Sequence, residues 1–240
     1  MQHRKKQYKK HSIIPRVIIQ THKTYYFKKR EYYDASRSWI LKNPGYSYIF
    51  YDDHDCHMFI NKFFPPYVEK AWLSLIPGAF KADLFRYCIL YFMGGIYVDF
   101  DTICVQNIDS IIDYNTVCMA AREPKNYTKL WNAFIAVSKK NPIMELSIGL
   151  SVRNILYKIN PKSVLDVTGP GVFGYAINKI CKRTRDMKHP LGTFPLGNFN
   201  IKICQNNHND WTVTHNNKVI MVSKWLGYNS STYSNRIWYK

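Results

Sequence analysis

Residues 78–101 constrain the fold of this chain more than any other segment. The run 78–93 is strongly apolar, contains no proline and ends at Gly94 and Gly95, so it predicts a long helix closed by a left-handed glycine cap. The next residues, "IYVDFD" at 96–101, predict a strand. A long helix, a glycine turn and a strand in immediate succession indicate an α/β fold.

Other predicted strands and helices alternate around this segment. The apolar patterns predict strands at 16–21, 46–53, 116–121 and 134–138, a hairpin at 211–223, and helices at 32–41, 53–64 and 142–159. This order predicts one mostly parallel central sheet flanked by helices. No internal repeat or linker interrupts it, so we expect a basic N-terminal tail, 1–12, and a single domain, 13–240.

Composition excludes a disordered chain and leaves the nature of the partner open. The 240 residues are 46% hydrophobic and 16% aromatic, as expected for a packed globule. The net charge of +18 fits two explanations equally. One is a biased use of Lys and Asn, and the other is a surface selected for an anionic partner such as nucleic acid, a nucleotide or phospholipid.

The sequence predicts a cytoplasmic location. It contains no apolar run of about 18 residues that could span a membrane, and its N-terminus lacks the pattern of a signal peptide. The six cysteines form no C-x-x-C pair, and several lie in apolar runs, which favours buried free thiols in a reducing compartment. The basic tail is equally compatible with peripheral membrane contact and with simple solvation.

Two aspartates lie close together on the predicted strand 96–101. Alternation along a strand places Tyr97, Asp99 and Asp101 on one face. Two carboxylates so close repel each other unless a cation compensates them, and Mg²⁺ or Mn²⁺ takes one or two protein carboxylates together with water and phosphate oxygens. Because an isolated D-x-D is common, it would by itself indicate only a solvated strand end.

The preceding helix carries a second charged pair. Asp83 and Arg86 are three residues apart and therefore share a helix face. By themselves they would be an ordinary salt bridge worth a few tenths of a kcal/mol. Next to the glycine turn and the D-x-D they become a candidate carboxylate and guanidinium for sugar hydroxyls and phosphate.

The segment "ADLFRYCILYFMGGIYVDFD", residues 82–101, resembles the A-D-x-x-R-Y-x-x-L-x-x-x-G-G-x-Y-x-D-x-D signature of glycosyltransferase family 32. "IPRVIIQTHKT", "NPGYSYIFYDD", "WNAFIAVSKKNPIMELSI" and "VTGPGVF" are similar to further blocks of that family. The resemblance covers roughly residues 13–175. It implies a GT-A fold, a nucleotide-sugar donor and a divalent metal.

The resemblance also implies roles for individual residues. Asp99 and Asp101 would hold Mn²⁺ or Mg²⁺, and Asp83, Arg86 and Asp101 would be catalytic. The implied donor-binding residues are Gln20, Thr21, Asp83, Arg86, Tyr97, Asp99 and Asn132. The chain departs from the family where Ile19 and His22 replace the usual His and Trp, and where "KWLGYNSSTY" replaces a closing block that contains His.

The expected activity is transfer of a hexose from a GDP- or UDP-sugar to a glycan, glycolipid or glycoprotein acceptor, with retention at the anomeric carbon. Two alternatives remain, namely a basic nucleic-acid-binding protein and an inactive sugar-binding module. Against the first, the aromatic residues fall mainly in core-like stripes, and no nucleic-acid motif is present.

Three further patterns are interpreted as incidental. "GPGVFG", 169–174, follows the strand-like "SVLDV" but lacks the second strand of a dinucleotide site, so we expect a glycine-shaped loop. "HDCH", 54–57, and the pair His208 and His215 lack zinc spacing and are expected to be surface histidines. For His215, the alternative is that its side chain reaches the metal.

Overall fold

The computed structural model of the chain describes residues 12–26, 29–159 and 163–223. The predicted basic tail lies outside these ranges except for its last residue. The helices are α1 (Arg30–Lys42), α2 (Asp53–Phe63), α3 (Pro66–Ser74), α4 (Gly78–Met93), α5 (Pro142–Leu156) and α6 (Pro170–Ile180). The strands are β1 (Val17–Thr21), β2 (Ser47–Tyr51), β3 (Gly95–Val98), β4 (Thr102–Cys104), β5 (Thr116–Arg122), β6 (Leu130–Val137), β7 (Gly192–Leu196), β8 (Phe199–Asn207), β9 (Thr212–His215) and β10 (Lys218–Ser223).

The strands form one 10-stranded sheet in the order β2-β1-β3-β6-β5-β8-β9-β10-β4, with β7 paired to β8. The pairs β1–β2, β1–β3 and β5–β8 are parallel, and the other described pairs are antiparallel. The α/β prediction is confirmed, but the prediction of a mostly parallel sheet is wrong. β6 and the C-terminal strands follow short connections, which join antiparallel neighbours.

Each face of the sheet is covered by its own hydrophobic core. The larger core packs the sheet against α2 to α6 and contains Phe59, Trp72, Phe85 and Phe173. The smaller core packs the opposite face against α1 through Trp39. Because both faces are buried, the ends of the strands are the accessible part of the central sheet.

The predicted helix at 78–93 and its glycine turn are confirmed. Residues 83–90 of α4 are all buried, as expected for a helix enclosed on every side. Gly94 and Gly95 have φ angles of 69° and 106°. A Cβ at Gly95 would lie 2.4 Å from Cγ1 of Val17, so only glycine lets β3 follow the helix at once and lie beside β1.

The predicted strand 96–101 is shorter than expected. β3 ends at Val98, and Asp99, Phe100 and Asp101 lie in a turn before β4. The carbonyl oxygen of Asp99 accepts hydrogen bonds from the backbone N–H of Thr102 at 3.2 Å and from its hydroxyl at 2.5 Å, which turns the chain out of the sheet. The prediction of a strand through Asp101 is therefore wrong, although the side chains of Tyr97 and Asp99 both contact Arg86.

Several elements were not predicted from the sequence or were predicted as a different structure. Helix α3, which begins at Pro66, and strands β7 and β8 were not predicted. The expected loop at 169–174 is wrong because α6 begins at Pro170, and the strand-like "SVLDV" forms a short 3-10 helix, Val164–Asp166. Proline at the first position of a helix is favourable, so Pro66 and Pro170 were usable signals.

The cysteines and the length of the helices were also addressed by the sequence. All six cysteines are unpaired and five of them are buried, as predicted. In the described ranges, no helix is both long and apolar enough to cross a bilayer.

Candidate active site

A cavity of about 610 Å³ opens at the sheet edge where β1 and β3 end. Parallel strands present their carboxyl ends at the same edge, which is where ligands bind in open α/β sheets. The cavity is lined by these residues predicted from the sequence: Thr21, Asp83, Arg86, Tyr97, Asp99, Asp101 and Asn132. The structure therefore brings residues from β1, α4, the β3–β4 turn and β6 to one cavity.

Gln20 is placed differently from the other predicted residues. Its side chain has no exposed surface and lies behind the cavity. Its amide nitrogen donates to the carbonyl oxygen of Asp99 at 3.2 Å, and its amide oxygen accepts from the hydroxyl of Tyr48 at 2.7 Å. Gln20 thus holds the turn that carries the D-x-D.

Arg86 is the central cation of the site. Its side chain is 4% exposed, and its Nη2 lies 3.3 Å from Oδ1 of Asp83 and 3.2 Å from Oδ1 of Asp99. Nη1 donates to the carbonyl oxygen of Asn132 at 2.6 Å, and the guanidinium packs 4.5 Å from the centre of the Tyr97 ring. The helix pair and the D-x-D therefore form one buried network.

The charges in this network determine its protonation. Burial lowers the pKa of Arg86, but Asp99, Tyr97 and Asp83 together raise it above its ordinary value, so Arg86 stays a cation. Burial raises the pKa of Asp83 to about 6, although Arg86 and the hydroxyl of Thr168 act in the opposite direction. Asp83 is therefore mostly ionised at neutral pH.

Asp83 is oriented by two hydrogen-bond donors. The amide of Asn132 donates to Oδ1 at 2.6 Å, and the hydroxyl of Thr168 donates to Oδ2 at 3.0 Å. Gly169 leaves room for this arrangement, since a Cβ there would lie 3.2 Å from Oδ2. A carboxylate offers about four acceptor positions, so Asp83 keeps acceptor capacity towards the cavity.

Asp99 and Asp101 fit a divalent cation that is shared with a ligand. Both carboxylates line the cavity and both are partly exposed, with 35% of the Asp99 side chain accessible. In the described ranges, no group of three His, Cys, Asp or Glu side chains could hold a metal, at this site or at any other. A pair of hard carboxylates suits Mg²⁺ or Mn²⁺ completed by water and phosphate oxygens.

An aromatic cluster forms one end of the cavity beyond β1. The rings of His22 and Phe100 are 4.7 Å apart, and those of Tyr32 and Phe100 are 5.0 Å apart. Thr21 lies beside this cluster, and its hydroxyl is 2.9 Å from the hydroxyl of Tyr97. Flat apolar surfaces next to the candidate cation site can pack against a planar base.

Sequence reasoning missed several residues of the site, among them Tyr32 and Phe100 of the aromatic cluster. Thr168 contacts Asp83, while Glu123 and Trp131 line the cavity from the ends of β5 and β6. Trp131 directly precedes Asn132, so its place was a usable signal. For Thr168 and Glu123 the sequence carried no local signal.

The histidines set aside in the sequence lie away from the candidate cation site. His57 pairs with Glu69 at 2.7 Å and stacks on Trp72, and His54 is exposed. His215 is largely buried rather than on the surface, and it does not line the cavity. The departure at "KWLGYNSSTY" lies outside the described residues.

Part of the chain matches a known protein family. Residues 29–118 match the family described as "Glycosyltransferase sugar-binding region containing DXD motif". The matched range includes Asp83, Arg86, Asp99 and Asp101. It ends before Glu123, Asn132 and Thr168.

Individual relatives agree with this match. The chain is 32% identical over 122 residues to the initiation-specific alpha-1,6-mannosyltransferase of Candida albicans, covering 49% of this chain and 31% of that protein. It is 26% identical over 212 residues to an uncharacterised glycosyltransferase, L373, of Acanthamoeba polyphaga mimivirus, covering 86% and 81%. The chain thus spans about a third of the length of the first of these relatives.

A solved structure resembles the fold. The PaToxG glycosyltransferase superposes with a TM-score of 0.52 at 24% identity, covering 69% of this chain and 68% of that chain. This likeness concerns the fold alone.

Proposed function

We propose that this protein is a glycosyltransferase that uses a nucleotide sugar, because residues 29–118 match the D-x-D family of glycosyltransferase sugar-binding regions and the fold is of GT-A type. We also propose that residues 13–240 form one such domain. The observation that carries the proposal is the single network in which Arg86 joins Asp83 to Asp99 at the floor of the cavity. It combines a polar pocket for a sugar with a site for a metal–diphosphate.

The diphosphate end of the donor is proposed to lie at the β3–β4 turn. Asp99 and Asp101 would hold Mn²⁺ or Mg²⁺ there. When bound, the cation supplies positive charge that stabilises the departing diphosphate. Arg86 is fixed beside Asp99 and adds a second positive charge that needs no reorganisation during the reaction.

The sugar end of the donor is proposed to lie over Asp83 and Asn132. Asp83 accepts from Asn132 and Thr168, so its carboxylate is held in one orientation and can accept hydrogen bonds from sugar hydroxyls. The base of the nucleotide would then pack near His22, Tyr32 and Phe100, with Thr21 and Tyr97 between base and sugar. The family resemblance supports retention at the anomeric carbon.

The donor and acceptor are proposed from the relatives. Since a similar protein is a mannosyltransferase, we propose GDP-mannose as the first donor to test, with UDP-hexoses as alternatives. The acceptor would be a glycan, glycolipid or glycoprotein. Peripheral membrane contact through residues 1–12 and a cytoplasmic location stay predictions.

The test is a screen of nucleotide sugars in the presence of Mn²⁺. Donor hydrolysis and thermal stabilisation are measured with and without EDTA, and ligand binding is expected to raise Tm. Asp101→Asn should abolish the Mn²⁺-dependent part of both signals. Asp34→Asn is the matched control, since Asp34 is exposed and forms only a surface pair with Arg30 at 3.8 Å.

Two results would contradict the proposal. Absence of binding for every GDP- and UDP-sugar would remove the transferase assignment. Tight donor binding without any turnover would instead favour an inactive sugar-binding module.

A further inference from the structure

Glu123 occupies the side of the cavity opposite the D-x-D. At this edge the strands lie in the order β3, β6, β5, so Asp99, Asn132 and Glu123 follow one another across the sheet. With neighbouring strands about 4.8 Å apart, the end of β5 is roughly 10 Å from the end of β3. A donor with its diphosphate at Asp99 and its sugar at Asn132 would present the far side of that sugar to Glu123.

One oxygen of the Glu123 carboxyl group is buried and unsatisfied within the described part of the chain. This oxygen, Oε2, accepts no hydrogen bond from any of the described residues. Burial raises the pKa of Glu123 to about 7, with Lys129 acting in the opposite direction. A buried polar atom without a partner is uncommon in proteins, and here it belongs to a side chain that lines an open cavity.

The surroundings of Glu123 form a bounded pocket. Its backbone N–H donates to the carbonyl oxygen of Lys129 at 3.0 Å, which closes the loop between β5 and β6. The ammonium group of Lys129 contacts Oδ1 of Asp166 at 2.5 Å and so ties this loop to residues 164–166 on the other side of the cavity. The half-buried Trp131 and the apolar residues Leu165 and Pro170 line the same cavity as Glu123.

From these contacts we propose that Glu123 and Trp131 form the acceptor subsite, which takes a hydroxyl-rich acceptor such as a glycan or polyol. A hydroxyl of the acceptor donates a hydrogen bond to Glu123 while the apolar face of the acceptor packs on the indole of Trp131. This inference depends on the proposed glycosyltransferase function. It assigns no proton transfer to Glu123.

The experiment compares wild type with Glu123→Ala, Glu123→Gln and the control Glu145→Ala. Glu145 is exposed in the first turn of α5 and lies outside the cavity. Binding of GDP-mannose with Mn²⁺ is measured by calorimetry. Release of GDP is measured with water as the acceptor and again with methyl α-D-mannopyranoside as a probe acceptor.

Donor Kd should stay within about twofold of wild type in all variants. Glu123→Ala loses a hydrogen bond to a charged group, so its rate of GDP release should be about 10- to 100-fold lower than that of wild type. We expect this loss with water as the acceptor, and also with methyl α-D-mannopyranoside where wild type uses that probe. Glu123→Gln keeps an acceptor oxygen, so its rate should lie between those of wild type and Glu123→Ala. Wild type should use the acceptor better as pH rises through about 7, and Glu123→Gln should not.

The outcomes separate the two claims. If wild type binds no nucleotide sugar, the proposed function fails and the acceptor subsite fails with it. If wild type is active and Glu123→Ala releases GDP at the wild-type rate, the acceptor subsite alone is overturned. The same holds if Glu123→Ala weakens donor binding as much as it slows release, since Glu123 would then contact the donor.

A stability measurement serves as the control for unfolding of the variants, and the pKa shift of Glu123 gives its expected direction. Because the pKa of Glu123 is raised in the folded protein, its ionised form destabilises the fold above about pH 7. Glu123→Gln should therefore be at least as stable as wild type at pH 8. A slower but equally stable variant reports on the site rather than on folding.

Discussion

Replacement of Arg86 by methionine tests whether the buried network holds the site together. The substitution keeps much of the side-chain volume but removes the cation between Asp83 and Asp99. The side chains of Arg86 and Asp83 are only 4% and 9% exposed, so water cannot replace the lost charge. Removing one partner of a buried pair typically costs about 3–5 kcal/mol.

The pKa of Asp83 leads to a similar value for the loss of folding stability in Arg86→Met. Its pKa is about 6 in the folded protein against an ordinary value of 3.8, so keeping it ionised costs about 3 kcal/mol at 1.36 kcal/mol per pKa unit. Without Arg86, Asp83 would be protonated in the folded protein at the assay pH of about 7.5. Binding that proton costs about 5 kcal/mol on the same scale, because the ordinary pKa of the carboxyl group is 3.8. The difference is about 2 kcal/mol, and the unpaired carbonyl of Asn132 adds about 1–3 kcal/mol.

The assay is urea unfolding at about pH 7.5 in EDTA, with wild type, Arg86→Met, Asp83→Asn and the double variant. We expect Arg86→Met to lose about 3–5 kcal/mol, which corresponds to a Tm lower by about 10 °C for a chain of this size. The effects of Arg86→Met and Asp83→Asn should be non-additive by about 2 kcal/mol, which is the extra cost that the loss of Arg86 places on Asp83. A loss below about 1 kcal/mol, or strictly additive effects, would refute the network.

A hydrogen bond, a buried histidine and a closely packed glycine can each be tested by one substitution. Thr168→Val removes the donor to Oδ2 of Asp83, so urea unfolding should show a loss of about 1–3 kcal/mol; an unchanged midpoint would mean that the bond is dispensable. Burial lowers the pKa of His189 from 6.5 to about 4, so the unfolded chain binds the extra proton and stability should fall by up to about 3 kcal/mol between about pH 6.5 and 4. His189→Leu should flatten that dependence in acid-unfolding curves, and an equally steep curve would exclude this cause. Gly95→Ala should lower Tm strongly because its Cβ meets Val17, whereas Gly149→Ala has open space within α5 and should raise Tm slightly; equal effects would contradict the steric argument.

The elements that the sequence predicted well are those defined by neighbouring residues. Helix α4 and its glycine turn are an example, because the apolar run and the two glycines are consecutive. The hairpin of β9 and β10 is another, since Asn216 and Asn217 adopt the positive φ angles of 49° and 60° that a two-residue turn requires.

The errors arose where distant segments compete with a local pattern. The pattern of "IYVDFD" continues through Asp101, but hydrogen bonds from Thr102 and Gln20 to the carbonyl of Asp99 turn the chain after Val98. Likewise, β5 pairs with β6 on one side and β8 on the other, and no local periodicity specifies those partners. Strand direction in the sheet was therefore not predictable from the pattern of each strand.

The sequence by itself determined the charged core of the candidate site, because Asp83, Arg86, Asp99 and Asp101 lie within one helix, turn and strand end, where spacing fixes their neighbours. Only the tertiary structure added Thr168, which is 85 residues from the carboxylate it contacts, and Glu123, whose unpaired oxygen is visible only once the cavity is formed. Residue spacing fixes positions within an element, whereas burial and hydrogen-bond partners depend on which elements meet.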